Sequence, residues 1–203
     1  MIDIKARQFI DPVLTRAGQS IAAYGIGADV ITLGGCALGL AGAVAISLGQ
    51  FGLALFLLMA NRIADGLDGA VARATRRTDR GAFLDITLDF FIYAAVPLAF
   101  AVWNETANAL PAAFLLAGFV ANGSAFLAFS TLAAKRDLIA TTHPHKSIYY
   151  LAGMMEGTET IAFMAAFCLF PTEFPVLATT FAILCWISAA GRVVLAWKLL
   201  ADG

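Results

Sequence analysis

Long apolar stretches separated by short polar breaks make up most of this sequence. A helix needs about 20 mainly apolar residues to cross the ~30 Å hydrocarbon core of a bilayer, and six stretches of the chain have about that length. We therefore predict an all-α membrane protein with six transmembrane helices in a single domain. The predicted spans are residues 30–48, 51–75, 82–103, 110–133, 147–170 and 174–200.

The residues before the first span follow a different pattern. Residues 1–19 interleave charged side chains with isoleucine, phenylalanine, valine and leucine, which is typical of an amphipathic helix lying in the membrane interface. The alternative is an ordinary disordered terminus. No cleavage site follows the first span, so a signal peptide is not expected. We predict that residues 1–28 form an interfacial segment and residues 29–203 a six-helix bundle.

Composition supports a membrane location and argues against one class of partner. Hydrophobic residues make up 61% of the 203 residues and charged residues 13%, about half the charged share of a soluble domain. The net charge of −1 offers no basic excess for a nucleic-acid partner. The three cysteines lack metal-ligand spacing. We expect an integral protein of a bacterial inner membrane.

Lysine and arginine mark one side of the predicted bundle. They occur before the first span, between the second and third, between the fourth and fifth, and at the end of the sixth. The other three connections contain neither residue. Because positive residues concentrate on the cytoplasmic side of membrane proteins, both termini are predicted to be cytoplasmic.

Four aspartates interrupt the second and third spans towards their cytoplasmic ends: Asp65, Asp68, Asp85 and Asp89. Their i, i+3 and i, i+4 spacings each place a pair on one helix face, so two antiparallel helices would present paired carboxylates at a similar depth. A carboxylate at the bilayer centre costs at least ~2.5 kcal/mol, and neighbouring carboxylates repel each other. A divalent metal would neutralise them. All-oxygen ligands suit Mg²⁺, Mn²⁺ or Ca²⁺ rather than zinc, and four carboxylates are enough for two ions.

Glycine and arginine accompany these aspartates. Gly66, Gly69 and Gly81 would leave room for a bulky group against the helix backbone, and Arg73 offers a forked donor for phosphate. Together with a metal, they predict a pyrophosphate site near the cytoplasmic surface. The alternative is that the aspartates pair with nearby arginines. These are Arg62, Arg73 and Arg76.

The motif resembles the signature of the CDP-alcohol phosphotransferase family, D-x-x-D-G-x-x-A-R followed after a short gap by G-x-x-x-D-x-x-x-D. Here the gap, residues 74–80, is one residue shorter than in the common family pattern. Six transmembrane helices and an interfacial N-terminal helix also fit the family. All eight fixed positions are matched, by Asp65, Asp68, Gly69, Ala72, Arg73, Gly81, Asp85 and Asp89.

The resemblance implies a phosphatidyltransferase of phospholipid synthesis that acts as a homodimer. An acceptor hydroxyl would attack the phosphorus next to the lipid in CDP-diacylglycerol, and CMP would leave. Asp89 would take the hydroxyl proton as general base, and Mg²⁺ or Mn²⁺ would be the cofactor. Carried over by position, the metal ligands would be Asp65, Asp68, Asp85 and Asp89, and the CDP contacts would be Gly69, Arg73 and Gly81.

The start of the first span also bears on the nucleotide. The family often carries Pro-Asn-x-x-Thr there, where this chain reads Ala-Asp-Val-Ile-Thr over residues 28–32. Thr32 matches, and a nucleotide contact from its side chain is one hypothesis. Asp29 replaces the asparagine, and we expect it to cap the first transmembrane helix.

The acceptor is open between two chemistries. If Glu156 and Glu159 line its pocket, they favour a polyol or an amino alcohol, although an internal ion pair with Arg62 would explain them equally well. Basic residues on the cytoplasmic side favour a phosphorylated acceptor, such as glycerol 3-phosphate or inositol phosphate, unless they reflect only the positive-inside bias. The basic candidates are Lys135, Lys146 and Arg192.

A divalent-cation transporter is the alternative from another functional class, because it would also need carboxylates within the membrane. A transporter predicts acidic residues along a path to the far side, where this sequence offers only Glu105 and Glu173. Glycine and arginine at fixed spacing have no evident role in transport. Phosphatidyl transfer is therefore the favoured function.

Overall fold

The computed structural model describes residues 2–136 and 157–200, with side chains from residue 11 onward. The regular structure in these two ranges is entirely helical, which confirms the predicted all-α fold for this part of the chain. A short 3₁₀ turn, Pro171–Glu173, precedes the last helix. The α-helices are α1 Ile2–Ala23, α2 Ala28–Ser47, α3 Phe51–Ala74, α4 Asp79–Trp103, α5 Glu105–Lys135, α6 Gly157–Leu169 and α7 Phe174–Leu199.

Four helices in the described ranges are long and apolar enough to cross a membrane. Helix α3 is not among them because Arg62, Asp65 and Asp68 interrupt its apolar sequence. The described part of α6 has 13 residues, which is too short to cross a bilayer alone. Six spans therefore remain a prediction. The four apolar segments are Ala28–Ser47, Asp79–Trp103, Glu105–Lys135 and Pro171–Leu199.

Two helices begin earlier than the predicted spans because a side chain caps the backbone. Helix α4 begins at Asp79, where the Thr78 hydroxyl accepts a hydrogen bond of 3.0 Å from a backbone N–H in the first turn. Helix α5 begins at Glu105, where the Asn104 side chain accepts a similar bond of 3.3 Å. Each cap satisfies an N–H that has no partner inside its helix, so the helices extend beyond their apolar stretches.

Helix α2 holds together the two helices that carry the aspartates. It packs against both α3 and α4, whereas α5 joins α4 to α7, and α1 and α6 pack on α3. A Cβ added to Gly35 would lie 2.9 Å from the Cβ of Ala64, and one added to Gly39 would lie 2.6 Å from Cδ1 of Ile92. Small residues let helix backbones approach closely, so these glycines set the spacing of α2 from α3 and α4.

A cluster of phenylalanines joins α4, α6 and α7 at the opposite end of α4 from its aspartates. Phe100 stacks on Phe174 with ring centroids 4.3 Å apart, and Phe163 stacks on Phe181 at 4.4 Å. Phe167 contacts both Phe100 and Phe174. Because helices in a membrane associate through close packing rather than through the hydrophobic effect, these ring contacts stabilise the association of α4, α6 and α7.

Helix α1 packs closely on α3, the helix that carries the first half of the motif. A Cβ added to Gly66 would lie 2.9 Å from Cδ1 of Leu14, and one added to Gly18 would lie 2.7 Å from the Cβ of Ala70. The interpretation of Gly66 as space for a ligand is therefore wrong, because Leu14 occupies that space. The placement of α1 in the membrane interface remains a prediction.

The contact between α1 and α3 predicts the effect of one added methyl group. Gly18→Ala should lower the thermal unfolding temperature of the protein in detergent, because its Cβ meets the backbone of Ala70 as well as its side chain. The expected cost is about 1–3 kcal/mol, typical of overpacking. Gly191→Ala is the matched control, since a Cβ there meets nothing within 4 Å. Equal unfolding temperatures for the two variants would contradict the described packing.

Candidate active site

Three of the four aspartates meet where α3 and α4 face each other. One carboxylate oxygen from each of Asp65, Asp68 and Asp85 lies within 4.8 Å of the other two. Asp68 is buried, and the other two are half-buried. The helical spacing on α3 and the short connection between the helices, residues 75–78, together bring these side chains to one place.

This three-aspartate cluster has the chemistry of a site for a hard divalent cation. Carboxylate oxygens are the ligands that Mg²⁺ and Mn²⁺ prefer. Three carboxylates this close repel one another, and partial burial weakens the screening that water provides. The cluster therefore fits a bound cation, with Asp65, Asp68 and Asp85 as the residues that could hold it.

A hydroxyl on α2 orients one member of the cluster. Thr32 Oγ1 donates a hydrogen bond to Asp68 Oδ2 at 2.6 Å. The same hydroxyl lies 3.1 Å from the Ala28 carbonyl oxygen, one turn earlier. The Thr32 side chain therefore orients a candidate metal ligand. A contact between Thr32 and a nucleotide stays a hypothesis.

Asp29 does not cap α2, and that expectation is wrong. Gly27 is the N-cap residue and makes no side-chain cap bond, so Asp29 lies inside the first turn. There it pairs with Arg80, whose Nη2 lies 2.5 Å from Asp29 Oδ2. An acidic residue in the first turn is still favourable for the helix dipole, and this pair ties the start of α2 to the start of α4.

Asp89 lies outside the mutual 4.8 Å grouping of the three-aspartate cluster and has partners of its own. Arg62 Nη2 donates to Asp89 Oδ1 at 2.7 Å, and the Tyr93 hydroxyl donates to Asp89 Oδ2 at 3.2 Å. Arg62 also lies 3.9 Å from Asp65 Oδ2. Among the described residues, the arginine that pairs with these aspartates is Arg62, so the ion-pair alternative raised by the sequence holds for Asp89.

Asn61 completes this arrangement from α3. Its Oδ1 accepts a hydrogen bond from Arg62 Nε at 2.8 Å, and its Nδ2 donates to the Gly35 carbonyl oxygen of α2 at 2.9 Å. Sequence reasoning missed both Asn61 and Tyr93 as site residues. The available signal was their helical spacing, since Tyr93 follows Asp89 by four residues and Asn61 precedes Asp65 by four.

Two adjoining cavities surround the aspartates. A small one is lined by all four, together with Thr32, Gly35, Cys36, Asn61 and Leu88. The other has a volume of about 200 Å³. It is lined by two of the four aspartates and by the four residues predicted to bind CDP. Arg76 and Arg77, which the sequence did not predict as CDP contacts, line it as well. The residues predicted for CDP in this cavity are Thr32, Gly69, Arg73 and Gly81.

The two glycines of the larger cavity have only polar side-chain atoms close to them. A Cβ on Gly69 would meet only Nη1 of Arg73, at 3.3 Å, and one on Gly81 would meet the Thr78 hydroxyl and a carboxylate oxygen of Asp29. The atoms that meet Gly81 come from the connection before α4 and, through Asp29, from α2, so both glycines contact polar side chains rather than the apolar side chain that covers Gly66. Close approach of a ligand to the backbone of these glycines stays a prediction.

The candidate acceptor residues lie elsewhere or outside the described ranges. Arg192 is buried between α5 and α7, where its Nη1 lies 2.5 Å from Asn122 Oδ1 and its guanidinium 5.3 Å from the Phe126 ring centroid. Lys135 is exposed in the last turn of α5. Neither lines the two cavities around the aspartates. Lys146 and Glu156 lie outside the described residues, and their predicted roles stay predictions.

Comparisons with known proteins identify relatives over nearly the whole chain. The sequence profile of the CDP-alcohol phosphatidyltransferase family matches residues 26–197. Inner membrane protein YnjF of Escherichia coli K12 is 43% identical over 193 residues, covering 95% of this chain and 94% of YnjF. The phosphatidylinositol phosphate synthase of Streptomyces avermitilis is 36% identical over 105 residues, covering 51% of this chain and 43% of that protein.

Solved structures show the same fold. The phosphatidylinositol phosphate synthase of Mycobacterium tuberculosis, crystallised with CDP-DAG bound, matches with a TM-score of 0.65 and 21% identity, covering 92% of this chain and 94% of that one. A crystal of the same enzyme with manganese and citrate also gives a TM-score of 0.65, at 20% identity, covering 91% of this chain and 89% of that one. At this identity, the likeness establishes the fold.

The hydrogen bond between Thr32 and Asp68 generates a test of the metal site. Thr32→Val keeps the shape of the side chain but removes the donor, so the affinity of the purified protein for Mn²⁺ should fall about 10-fold, as for other residues that orient metal ligands. Electron paramagnetic resonance of free Mn²⁺ measures this affinity.

The matched control for that variant is Thr179→Val in α7. Thr179 makes the same type of bond to the carbonyl one turn earlier, at 2.7 Å from Pro175 O, but lines neither cavity around the aspartates. Unchanged Mn²⁺ affinity in Thr32→Val, or an equal loss in both variants, would show that Thr32 does not orient a metal ligand.

Proposed function

The chain belongs to the CDP-alcohol phosphatidyltransferase family, and on that premise we propose that it transfers a phosphatidyl group from CDP-diacylglycerol to a hydroxyl of a small polar acceptor, releasing CMP. One observation carries the proposal. Two members of the three-aspartate cluster line a cavity together with two glycines and several arginines. A diphosphate joining a nucleoside to a lipid needs these features side by side.

The nucleotide end of the substrate occupies the cavity of about 200 Å³. Gly69 and Gly81 let the diphosphate approach the helix backbones, and Arg73 binds a phosphate oxygen with its forked guanidinium. Arg76 and Arg77 add positive charge at the same wall. These groups hold the leaving CMP in place while the acceptor approaches.

The bond changes follow from the substrate. The acceptor oxygen forms a bond to the phosphorus next to the lipid, and the bond from that phosphorus to the oxygen shared with the CMP phosphate breaks. Asp89 accepts the proton of the acceptor hydroxyl, and CMP leaves with the electron pair. General base catalysis of this type contributes about 10²–10⁴-fold to a rate.

A divalent cation fits the three-aspartate cluster. Asp65, Asp68 and Asp85 would hold it, and Thr32 would orient Asp68. When bound, Mg²⁺ or Mn²⁺ would supply positive charge that stabilises the diphosphate as CMP departs. Manganese in a crystal of the mycobacterial synthase supports this assignment. Two ions, with Asp89 as a ligand of the second, remain our expectation from the count of four carboxylates.

We place the active site on the cytoplasmic side of a bacterial inner membrane. The four arginines after Asp68 lie on the exposed end of α3, the connection and the start of α4, and positive residues favour the cytoplasmic side. The name of the Escherichia coli relative supports an inner-membrane location. The four arginines are Arg73, Arg76, Arg77 and Arg80.

Family resemblance also implies a homodimer. This can be tested by measuring the mass of the purified protein in detergent.

The transporter alternative finds no support in the described residues. It requires acidic side chains along a path to the far side of the membrane. The acids described at that side are Glu105 and Glu173, and both are exposed at helix ends. Phosphatidyl transfer explains the glycine- and arginine-lined cavity, and cation transport does not.

The acceptor is identified by a direct assay. Purified protein receives CDP-diacylglycerol and Mn²⁺ or Mg²⁺ with glycerol 3-phosphate, inositol phosphate, inositol, serine, choline or glycerol, and CMP release is measured. A phosphorylated acceptor would agree with a role for Lys135, Lys146 or Arg192. A polyol or an amino alcohol would agree with Glu156.

Loss of one carboxylate tests the reaction and the site together. Asp85→Asn should lower acceptor-dependent CMP release at least ~100-fold, because it removes a negative ligand from the cluster while keeping the size of the side chain. Asp79→Asn is the control on the same helix, since Asp79 is exposed and lines neither cavity. Retained metal-dependent activity in Asp85→Asn would contradict the assignment of Asp85 to the active site.

A further inference from the structure

We propose that a groove between α5 and α7 binds one anionic phospholipid, with an acyl chain in the groove and the lipid phosphate at Arg136. This α5–α7 groove is a cavity of about 640 Å³ lined by residues within 125–132 and 192–200. It shares no lining residue with the two cavities around the aspartates. The inference therefore concerns a separate site and goes beyond the proposed phosphatidyl transfer.

The lining of the groove is almost entirely apolar. Three small residues, Ala125, Ala128 and Ala196, leave room between the two helices. Leu132 and Trp197 line it as well, and they are 42% and 81% exposed. An elongated apolar cavity of this size fits a hydrocarbon chain, and tryptophan is enriched at the level of lipid head groups.

The groove lies on the outer side of the helix bundle. Phe119 marks the inward face of α5, because its ring contacts those of Tyr93 on α4 and Phe181 on α7. Ala128 follows Phe119 by nine residues, which is about two and a half helical turns. Ala128 therefore points to the opposite side of α5, where it is exposed. This side is accessible to membrane lipid.

An exposed guanidinium closes one end of the groove. Arg136 Nη1 donates to the carbonyl oxygen of Leu200 at 3.1 Å, and Leu200 lines the groove. This bond links the ends of α5 and α7 and uses one of the five N–H donors of the guanidinium. The other donors suit a phosphate, which arginine binds with its fork. Lys135 is exposed beside Arg136 and adds a second positive charge.

The groove has the polarity of an anionic phospholipid. At its inner end, Arg192 is buried, and its Nη1 is bound to Asn122 inside the bundle. The exposed positive charge is therefore at the end near Arg136, and an apolar lining follows it. Basic pockets between transmembrane helices bind the head groups of anionic lipids in this way.

Charge and shape favour a lipid over a second copy of this chain. A two-fold contact brings the same patch of both copies together. Because both copies would insert in the same orientation, the two Arg136 side chains would meet at one depth, and like charges destabilise an interface. Two concave grooves facing each other would also leave a void that loses packing contacts.

Native mass spectrometry of the purified protein in detergent tests the proposal by counting bound lipids. The protein is titrated with dioleoyl phosphatidylglycerol, which is anionic, or with dioleoyl phosphatidylcholine, which has no net charge. Wild-type protein should bind one phosphatidylglycerol about 5-fold more tightly than phosphatidylcholine. Arg136→Gln should lower the affinity for phosphatidylglycerol about 5-fold, the loss expected for one cation at a membrane surface, and leave phosphatidylcholine unchanged.

Lys198→Gln is the matched control for charge. Lys198 is an exposed cation in the last turn of α7, at the same end of the bundle, but it does not line the groove. Its loss should change the affinity for phosphatidylglycerol less than about 2-fold.

A second variant tests the apolar part of the groove. Ala128→Phe places a ring in the space of the acyl chain, so it should weaken phosphatidylglycerol binding by a factor similar to that of Arg136→Gln. Ala117→Phe is the control, because Ala117 is exposed on the same face of α5 about three turns earlier and does not line the groove.

Three results would overturn the proposal. An equal loss in Arg136→Gln and Lys198→Gln would show that overall positive charge attracts the lipid. Equal affinities for the two lipids would show that the phosphate charge is not recognised. A change from dimer to monomer in Ala128→Phe would show that the groove is an interface between copies. None of these measurements uses CMP release, so failure of the proposed phosphatidyl transfer would be seen separately.

Discussion

The electrostatic cost of placing four carboxylates and a guanidinium among apolar helices is the constraint on which the rest of this structure depends. Each ion taken out of water costs several kcal/mol unless a partner compensates it. Asp68 accepts a hydrogen bond from the Thr32 hydroxyl. Asp89 accepts hydrogen bonds from the Arg62 guanidinium and the Tyr93 hydroxyl. In the three-aspartate cluster, Asp65 has the more distant contact with Arg62 at 3.9 Å, and the remaining negative charge would favour a bound cation.

This compensation requires helices that approach more closely than bulky side chains allow. Helix α2 contributes no charge to the small cavity, yet it supplies the Thr32 hydroxyl and the Gly35 carbonyl that anchors Asn61. Its glycines make that reach possible, because a Cβ at Gly35 or Gly39 would collide with the helix opposite. The small residues of α2 are thus as necessary to the site as the charged residues of α3 and α4.

Helical periodicity predicted much of the fold and the core of the site, because i, i+3 and i, i+4 spacings determine which side chains share a face. The all-α architecture, the meeting of Asp65, Asp68 and Asp85, and the grouping of Gly69 with Gly81 were accessible in this way. Contacts that depend on how two helices are rotated relative to each other could not be predicted from periodicity. Arg62 was a candidate ion-pair partner, but periodicity could not show which aspartate it would meet.

Two interpretations failed for related reasons. A glycine in a sequence indicates space without indicating what fills it, so Leu14 at Gly66 could not be foreseen. The cap at Asp29 depended on the first residue of α2, and helix ends are uncertain by one or two residues from any pattern. The acceptor residues Lys146 and Glu156 lie in the part of the chain that the structure does not describe.

The connection between α3 and α4 has a consequence for metal affinity. Only residues 75–78 separate the two helices, and a chain of that length spans at most about 14 Å. The two halves of the ligand set therefore stay at a high effective concentration relative to each other, as the arms of a chelator do. The entropic cost of bringing the carboxylates together is incurred when the protein folds. Little of this cost therefore opposes the binding of the ion.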